Sequence, residues 1–168
     1  MAGCISLKSQ KIKIFQIRDP EIVKSLVSEL RKFENKLDAD MRSDEESVEK
    51  QIEWMKRKLQ SESTFLFVAI REDEEQNTIG YVFGWIEKRN KNYWKLTKFG
   101  YVGELFVKEE FRGMGVGRAL LEKAEKWFAE KGITKIFLDA YAQNPAVNFY
   151  KKLGYRELEL RMVKEISS

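Results

Sequence analysis

The chain has 168 residues, 31 of them Lys or Arg and 27 Asp or Glu, giving a formal charge of +4. Charges of both signs alternate throughout, as in KQIEWMKRKL and EKAEKWFAEKG, which describes a solvated surface and argues against the one-sided basic face of a nucleic-acid reader. Histidine is absent and Cys4 is the only cysteine; this excludes intramolecular disulfides, a Cys/His zinc site and any imidazole triad, and leaves a carboxylate, tyrosine, lysine or ordered water as general base.

The opening MAGCISLKSQ lacks the apolar stretch of a secretion signal, and Ala2 stands where myristoylation needs glycine. No apolar run approaches membrane-spanning length, so the expected compartment is the cytoplasm, with no membrane partner. With 43% hydrophobic residues the expected organisation is one domain over residues 1–168 around a conventional core.

KIKIFQIRD (residues 11–19) alternates apolar and polar positions like a half-buried strand, and Pro20 fits the first turn of a following helix. EIVKSLVSELRKF carries Ile22, Val23, Leu26, Val27 and Leu30 at helical spacing. ENKLDADMR then breaks the pattern. A second helix is expected from about Ser43, capped by the Ser43 and Glu46 pair, with Val48, Ile52, Met55 and Leu59 as its stripe. TFLFVAIRE and TIGYVFGWIEKR read as strands of a hairpin around the polar turn DEEQN, and YVGELFVKE as a third strand. The intervening KRNKNYWKLTKFG is a long hairpin loop or a plain connection.

RGMGVG then opens a helix with Val116, Leu120, Leu121, Ala124, Trp127 and Phe128 on one face and Gly132 as its stop. KIFLDAY is a short apolar strand, AVNFYKKLG a short helix stopped by Gly154, and YRELELRMVKEI an alternating final strand. The two strands flanking the glycine loop and its helix should be parallel by the crossover rule. The expected fold class is therefore α/β in an α+β arrangement: a mixed, mostly antiparallel central sheet flanked by helices.

Glycines at 113, 115 and 117 let several backbone N–H groups converge on one point, and the adjoining helix N-terminus adds partial positive charge, which suits a phosphate. A Walker A loop fails, because Gly117-Arg118-Ala119 offers no hydroxyl for a magnesium ion. A dinucleotide fingerprint also fails on spacing, since its third glycine would fall on Arg118 or Leu120, although Asp139 sits near the place of a ribose-binding acid.

ELFVKEEFRGMGVGRALLEKAEKWF, followed by FYKKLGY after the next strand, resembles the acyl-CoA signature of the GNAT superfamily of N-acyltransferases, over about residues 12–163. The Arg/Gln-x-x-Gly-x-Gly/Ala pattern is met by Arg112, Gly115 and Gly117. The resemblance implies acetyl-CoA as co-substrate, no metal, and a primary amine of a small molecule or protein as acceptor. It implies that Arg112, Gly113, Met114, Gly115, Val116, Gly117 and Arg118 hold the pyrophosphate, and that pantetheine pairs with the strand at Leu105, Phe106 and Val107. The side chains of Leu105 and Val107 face opposite to that of Phe106.

By the same resemblance Glu104 is the candidate base, placed on the face of Val102 and Phe106, or else one member of a plain ion pair. Tyr150 is the candidate acid that protonates the departing thiolate, with Phe149 packed beside it at the cofactor. Where the family has an asparagine this chain has Gln143, with Asn144 next to it, so either amide is a candidate contact. Lys152, with Lys151, stands near a coenzyme phosphate or is plain helix surface. Acceptor recognition is expected from Glu34, Asp38, Asp40, Tyr81, Trp85 and Tyr93, whose acids and rings suit a cation. A homodimer is compatible with the resemblance, and a non-catalytic acyl-CoA-binding regulatory domain is the alternative function.

Overall fold

In the computed structural model, which describes residues 3–7, 10–71, 78–89, 93 and 95–166, six strands form one sheet in simple chain order. They are β1 (Gly3–Leu7), β2 (Gln10–Gln16), β3 (Thr64–Arg71), β4 (Thr78–Lys88), β5 (Lys98–Val107) and β6 (Ile136–Leu138). The first five pair antiparallel. β5 and β6 run parallel, connected through α3 (Val116–Glu130), as the crossover rule requires. β1 was not expected from sequence; it is a strand through its pairing with β2, from Gly3 opposite Ile14 to Leu7 opposite Gln10. The turn DEEQN and part of the KRNKNYWKLTKFG segment lie outside the described residues.

A short 3-10 turn over Pro20–Val23 leads into α1 (Lys24–Leu37), which runs four residues beyond the expected break at Phe33. α2 (Glu45–Lys58) is capped by Asp44, whose Oδ1 accepts from the Ser47 N–H at 2.9 Å, and not by Ser43. Glu46 cannot complete a capping box because its carboxylate is drawn to Arg42 at 2.7 Å and Lys50 at 2.5 Å. Leu26 and Val27 of α1 and Ile52 and Met55 of α2 pack with Leu66, Tyr81, Phe83 and Phe106 on one face of the sheet. Leu120, Leu121, Ala124 and Phe128 of α3 pack with Phe65, Phe67, Val82 and Val102 on the other. At the end of α3 the Ile133 N–H donates to the Phe128 carbonyl and the Gly132 N–H to that of Ala129, with Gly132 at φ +71. α4 (Ala146–Lys152) follows on the α3 side and ends before Gly154, at φ +91.

Two further expectations fail. In the ladder between β4 and β5, Phe83 pairs with Glu104 and Gly84 with Val102, so Gly103 is an extra residue in a β-bulge. The extra residue resets the alternation: Val102 points into the α3-side core, while Phe106 points into the core under α1 and α2. Glu104 therefore shares a face with Phe106 but not with Val102. The second failure is the final strand. Residues 155–166 have no strand partner among the described residues, and Leu158, Leu160, Met162 and Val163 are between 61% and 94% exposed. Alternation alone does not make a strand; it needs a sheet edge, and the adjacent β6 is only three residues long.

Where β4 crosses β5, a Cβ on Gly84 would lie 2.6 Å from the Tyr101 carbonyl oxygen and 2.7 Å from Phe65 Cζ. Neither neighbour has room to move, so Gly84→Ala should cost about 1–3 kcal/mol of stability by overpacking. Urea unfolding of the two proteins would show this as a lower midpoint at unchanged slope.

Candidate active site

Beyond the bulge, β5 and β6 part company. Their parallel ladder covers only Gly100 with Ile136, Tyr101 with Phe137 and Val102 with Leu138, so residues 103–107 have no strand on that side among the described residues. The Lys108 N–H donates to the Ile79 carbonyl at 2.9 Å, toward β4. Counting back along the strand, the Phe106 amide also faces β4, whereas those of Leu105 and Val107 face the gap. The Val107 carbonyl accepts from Arg112 Nε at 3.0 Å, and the guanidinium lies 5.6 Å from the Phe106 ring centre. Arg112 thus ties the end of β5 to the glycine loop.

That loop sits directly at the head of α3. Gly113 (φ +75) and Gly115 (φ +87) take left-handed conformations that other residues adopt at a cost, and Gly115 is the N-cap of α3 without any side-chain oxygen to cap it. The first N–H groups of α3 are left for a ligand, together with the positive end of a helix of 15 residues. A Cβ on Gly117 would make only an ordinary contact, 3.4 Å, with Phe149 Cζ, which sets the helix start beside α4. Met114 is partly exposed; Arg118 is exposed and paired with Glu122 at 3.8 Å. The residues present fit a pyrophosphate and an extended amide chain.

Glu104 lies on the other side of the gap, 8% exposed, at the centre of a polar cluster. Its Oε1 accepts from Arg31 Nη2 at 3.0 Å and Gln51 Nε2 at 2.6 Å, and its Oε2 from Tyr81 Oη at 2.7 Å. Glu34 pairs with the same arginine at 2.6 Å. Two carboxylates against one guanidinium leave the cluster with one excess negative charge. Burial raises the Glu104 pKa from its ordinary carboxylate value, against the opposing pull of Arg31. Tyr81, fully buried, has its phenol pushed well above its ordinary value, first by burial and then by Glu104.

Glu104 also floors an open cavity of about 380 Å³ whose other walls are Gln51, Trp54, Trp85, Tyr101 and Gly103. The Trp85 ring covers Gly103 so closely that a Cβ there would overlap it. Trp85 stands 5.5 Å from Trp54 and 4.9 Å from Tyr101 between ring centres, and the Lys58 ammonium lies 4.8 Å from its centre. The aromatic wall therefore already attracts one alkylammonium. Tyr101 Oη donates to Asp139, and Tyr141 Oη donates to Asp38 Oδ2 at 3.2 Å, bringing the segment after β6 against the end of α1.

Tyr150 packs on the α3 side, so it and Glu104 belong to opposite faces of the sheet and share only the gap between them. Burial raises the Tyr150 pKa to about 12, so the phenol keeps its proton at neutral pH. Asn144 Oδ1 accepts from the Ala146 N–H at 2.9 Å and shapes the turn into α4; Gln143 is exposed. Lys152 is exposed, and Lys151 pairs with Glu157 at 2.7 Å. Of the expected acceptor residues, Trp85 reaches the cavity wall, while Glu34 and Tyr81 act one layer behind Glu104. Asp38 accepts from Tyr141 Oη and does not line the cavity, Asp40 is exposed, and Tyr93 is 74% exposed. Sequence reasoning missed Arg31, Gln51, Trp54 and Tyr101. Gln51 and Trp54 flank the apolar stripe of α2, and a polar and a large aromatic residue at its edge were the available signal.

With this geometry the likenesses to other proteins agree. The chain belongs to the acetyltransferase (GNAT) family, whose match spans residues 27–155. It is 34% identical over 87 residues to an N-alpha-acetyltransferase of Sulfurisphaera tokodaii, covering 49% of this chain and 52% of that one. It is 41% identical over 71 residues to an uncharacterized N-acetyltransferase of Methanocaldococcus jannaschii, covering 39% and 31%. A solved structure of a putative acetyl transferase from Pyrococcus furiosus matches with a TM-score of 0.66 at 29% identity, over 92% of this chain and 99% of that one. The chain spans about a third to a half of the length of the curated relatives it matches.

A carboxyl whose folded pKa is raised holds its proton more tightly in the folded than in the unfolded state. The stability it contributes is complete below the ordinary carboxylate value and is lost as pH rises through the folded one. Urea unfolding across pH, for the wild type and Glu104→Gln, should show the wild type losing stability relative to the variant over that window. A relative gain with rising pH would instead show that pairing with Arg31 outweighs burial.

Proposed function

We propose that the protein is an N-acetyltransferase that moves the acetyl group of acetyl-CoA to a primary amine. The observation that carries this is the gap beside β5, where two outward amides lead to a left-handed glycine loop and an uncapped helix N-terminus. A pyrophosphate would be held by the N–H groups of the residues 113–118 loop, and pantetheine by the Val107 amide next to that loop. Acetyl-CoA would supply a thioester whose acyl carbon is open to attack by an amine. The Leu105 amide, facing the gap beside Glu104, would polarise the acyl oxygen.

An aliphatic amine is mostly protonated at neutral pH and must lose a proton to become a nucleophile. Glu104 would receive it through water from the cavity, since its own oxygens are already engaged by Arg31, Gln51 and Tyr81. As the new carbon–nitrogen bond forms and the carbon–sulfur bond breaks, Tyr150 would give its phenolic proton to the departing sulfur, and the second proton of the new amide nitrogen would leave through water and return the phenol to its neutral form. The aromatic wall of Trp54, Trp85 and Tyr101, with the excess charge of the Glu104 cluster, favours a cationic acceptor. Relatives from Sulfurisphaera tokodaii and Sulfolobus acidocaldarius are N-alpha-acetyltransferases, which supports the α-amine of a peptide as that acceptor.

The test is thiol release from acetyl-CoA with short peptides of varied N-termini, polyamines and amino acids, run alongside direct measurement of CoA binding. Peptides should accelerate release, and Tyr150→Phe should lower kcat by about 10²–10⁴-fold, the usual worth of a positioned acid, with CoA affinity retained. A wild type that binds CoA but releases no thiol faster with any acceptor would overturn the enzyme in favour of an acyl-CoA-binding regulatory domain.

A further inference from the structure

Three lysines gather at the end of the sheet farthest from the glycine loop. β4 ends and β5 begins with two of them set directly opposite each other, Lys88 against Lys98. Residues opposite in an antiparallel ladder point to the same face, so two ammonium groups are brought side by side, an arrangement that costs stability. Alternation along each strand identifies the face. Lys88 lies two residues beyond Ile86, and Lys98 two residues before Gly100; Ile86 and Phe128, which covers Gly100, both belong to the α3-side core. On that side Lys131 follows the end of α3, its ammonium 5.0 Å from the centre of the Trp127 ring.

Lys88, Lys98 and Lys131 line one open cavity of about 740 Å³, with Ser61, Ser63 and Ile86 among its other walls. The Ser61 and Ser63 hydroxyl oxygens lie 2.7 Å apart, and the Ser63 N–H donates to Ser61 Oγ at 3.2 Å. One hydroxyl proton is used between the two serines, which leaves the other to be donated to a ligand. The carboxylates close by are engaged elsewhere. Glu62 Oε1 accepts from Arg18 Nη2 at 3.0 Å, and Glu87 turns to the opposite face of the sheet, where its Oε2 accepts from Trp85 Nε1 at 2.8 Å. Glu130, next to Lys131 in the chain, is exposed. Among the described residues no carboxylate forms an ion pair with Lys88, Lys98 or Lys131.

Several other lysines of this surface are answered by a neighbouring acid: Lys24 by Glu49, Lys50 by Glu46, Lys56 by Glu21 and Lys151 by Glu157. Three unanswered cations around one hollow, two of them facing each other across a ladder, are complementary to concentrated negative charge. Ammonium groups are compact charges on flexible stems, which suits a phosphate group approached from several sides. The cations converge on one hollow instead of forming a stripe, so what fits is a small ligand and not a nucleic-acid backbone.

We propose that this cavity binds a small phosphate-bearing anion of two or more negative charges, held by Lys88, Lys98 and Lys131 and by a hydroxyl of the Ser61 and Ser63 pair. β5 runs from Lys98 to Val107 and α3 from Val116 to Glu130, which sets the hollow roughly 20 Å along α3 from the glycine loop. The site is thus separate from the one proposed for a pyrophosphate, and it stands or falls apart from the acetyl-transfer reading.

The probe is inorganic triphosphate, titrated calorimetrically into the full chain at about 0.15 M salt, where exposed charges are screened. One titration uses the protein alone and a second adds excess CoA, so that the glycine loop cannot supply the signal. Saturation below about 1 mM is expected in both. Lys98→Glu turns the like-charge pair into an ion pair with Lys88. It should weaken triphosphate binding by about tenfold or more and, without ligand, raise the thermal midpoint above that of the wild type. Opposite effects on binding and stability mark a site retained despite its cost, which plain surface lysines would not show. Amine-reactive labelling read by mass spectrometry should find Lys88, Lys98 and Lys131 protected by triphosphate and Lys50 and Lys56 unaffected. Binding that disappears when CoA is added, binding unchanged in Lys98→Glu, or labelling of Lys88, Lys98 and Lys131 that triphosphate leaves unaltered would each overturn the proposal.

Discussion

The single extra residue in β5 governs most of what this molecule offers a ligand. Glycine at position 103 lets the strand bulge under the Trp85 ring, and the bulge bends β5 away from β6 after three paired residues. The same bulge resets the alternation, so that Glu104 turns under α1 and α2 instead of into the α3-side core. Without it, the sheet would continue closed, the Leu105 and Val107 amides would find a neighbouring strand, and the acid would have to be buried among Leu120, Leu121 and Phe128. One local irregularity opens the slot and sets the carboxylate at its side.

The two faces of the sheet divide the proposed chemistry. On the α3 side the loop glycines and the helix N-terminus attract anionic phosphate, and the buried Tyr150 keeps its proton. On the α1 and α2 side the Arg31, Glu34 and Glu104 cluster carries one excess negative charge beneath an aromatic wall, an environment for a cation. An anionic donor and a cationic acceptor would therefore be drawn to opposite faces of the gap, and meet only where β5 and β6 have separated. The clustering also has a structural cost: a buried carboxylate needs its three hydrogen-bond donors, and Arg31, Gln51 and Tyr81 come from three different elements to supply them.

Much of the architecture was legible in the chain. Helical stripes placed α1, α2 and α3 within a few residues, β-branched and aromatic runs placed β3, β4 and β5, and the order of strand, glycines, helix and strand required a parallel neighbour. The glycine loop was legible because its constraint is local: Gly113 and Gly115 need positive φ, and no distant contact decides that. The Ser43 cap failed for a competing local interaction, since Asp44 is the stronger cap and Glu46 is held by Arg42 and Lys50. The final strand failed for a different reason, because its pattern asks for an edge that the rest of the same chain does not bring to it.

By itself the sequence determined most of the elements, the sign of their surface and the left-handed glycine turn, since helix period, strand alternation and glycine torsion depend on neighbours a few positions away. Only the tertiary structure decided which face receives Glu104, which amides stay free, and that Arg31, Gln51, Trp54 and Tyr101 join the site. Those outcomes depend on the register between β4 and β5, where a shift of one residue reverses every side chain beyond it, and register is set by packing across the whole sheet.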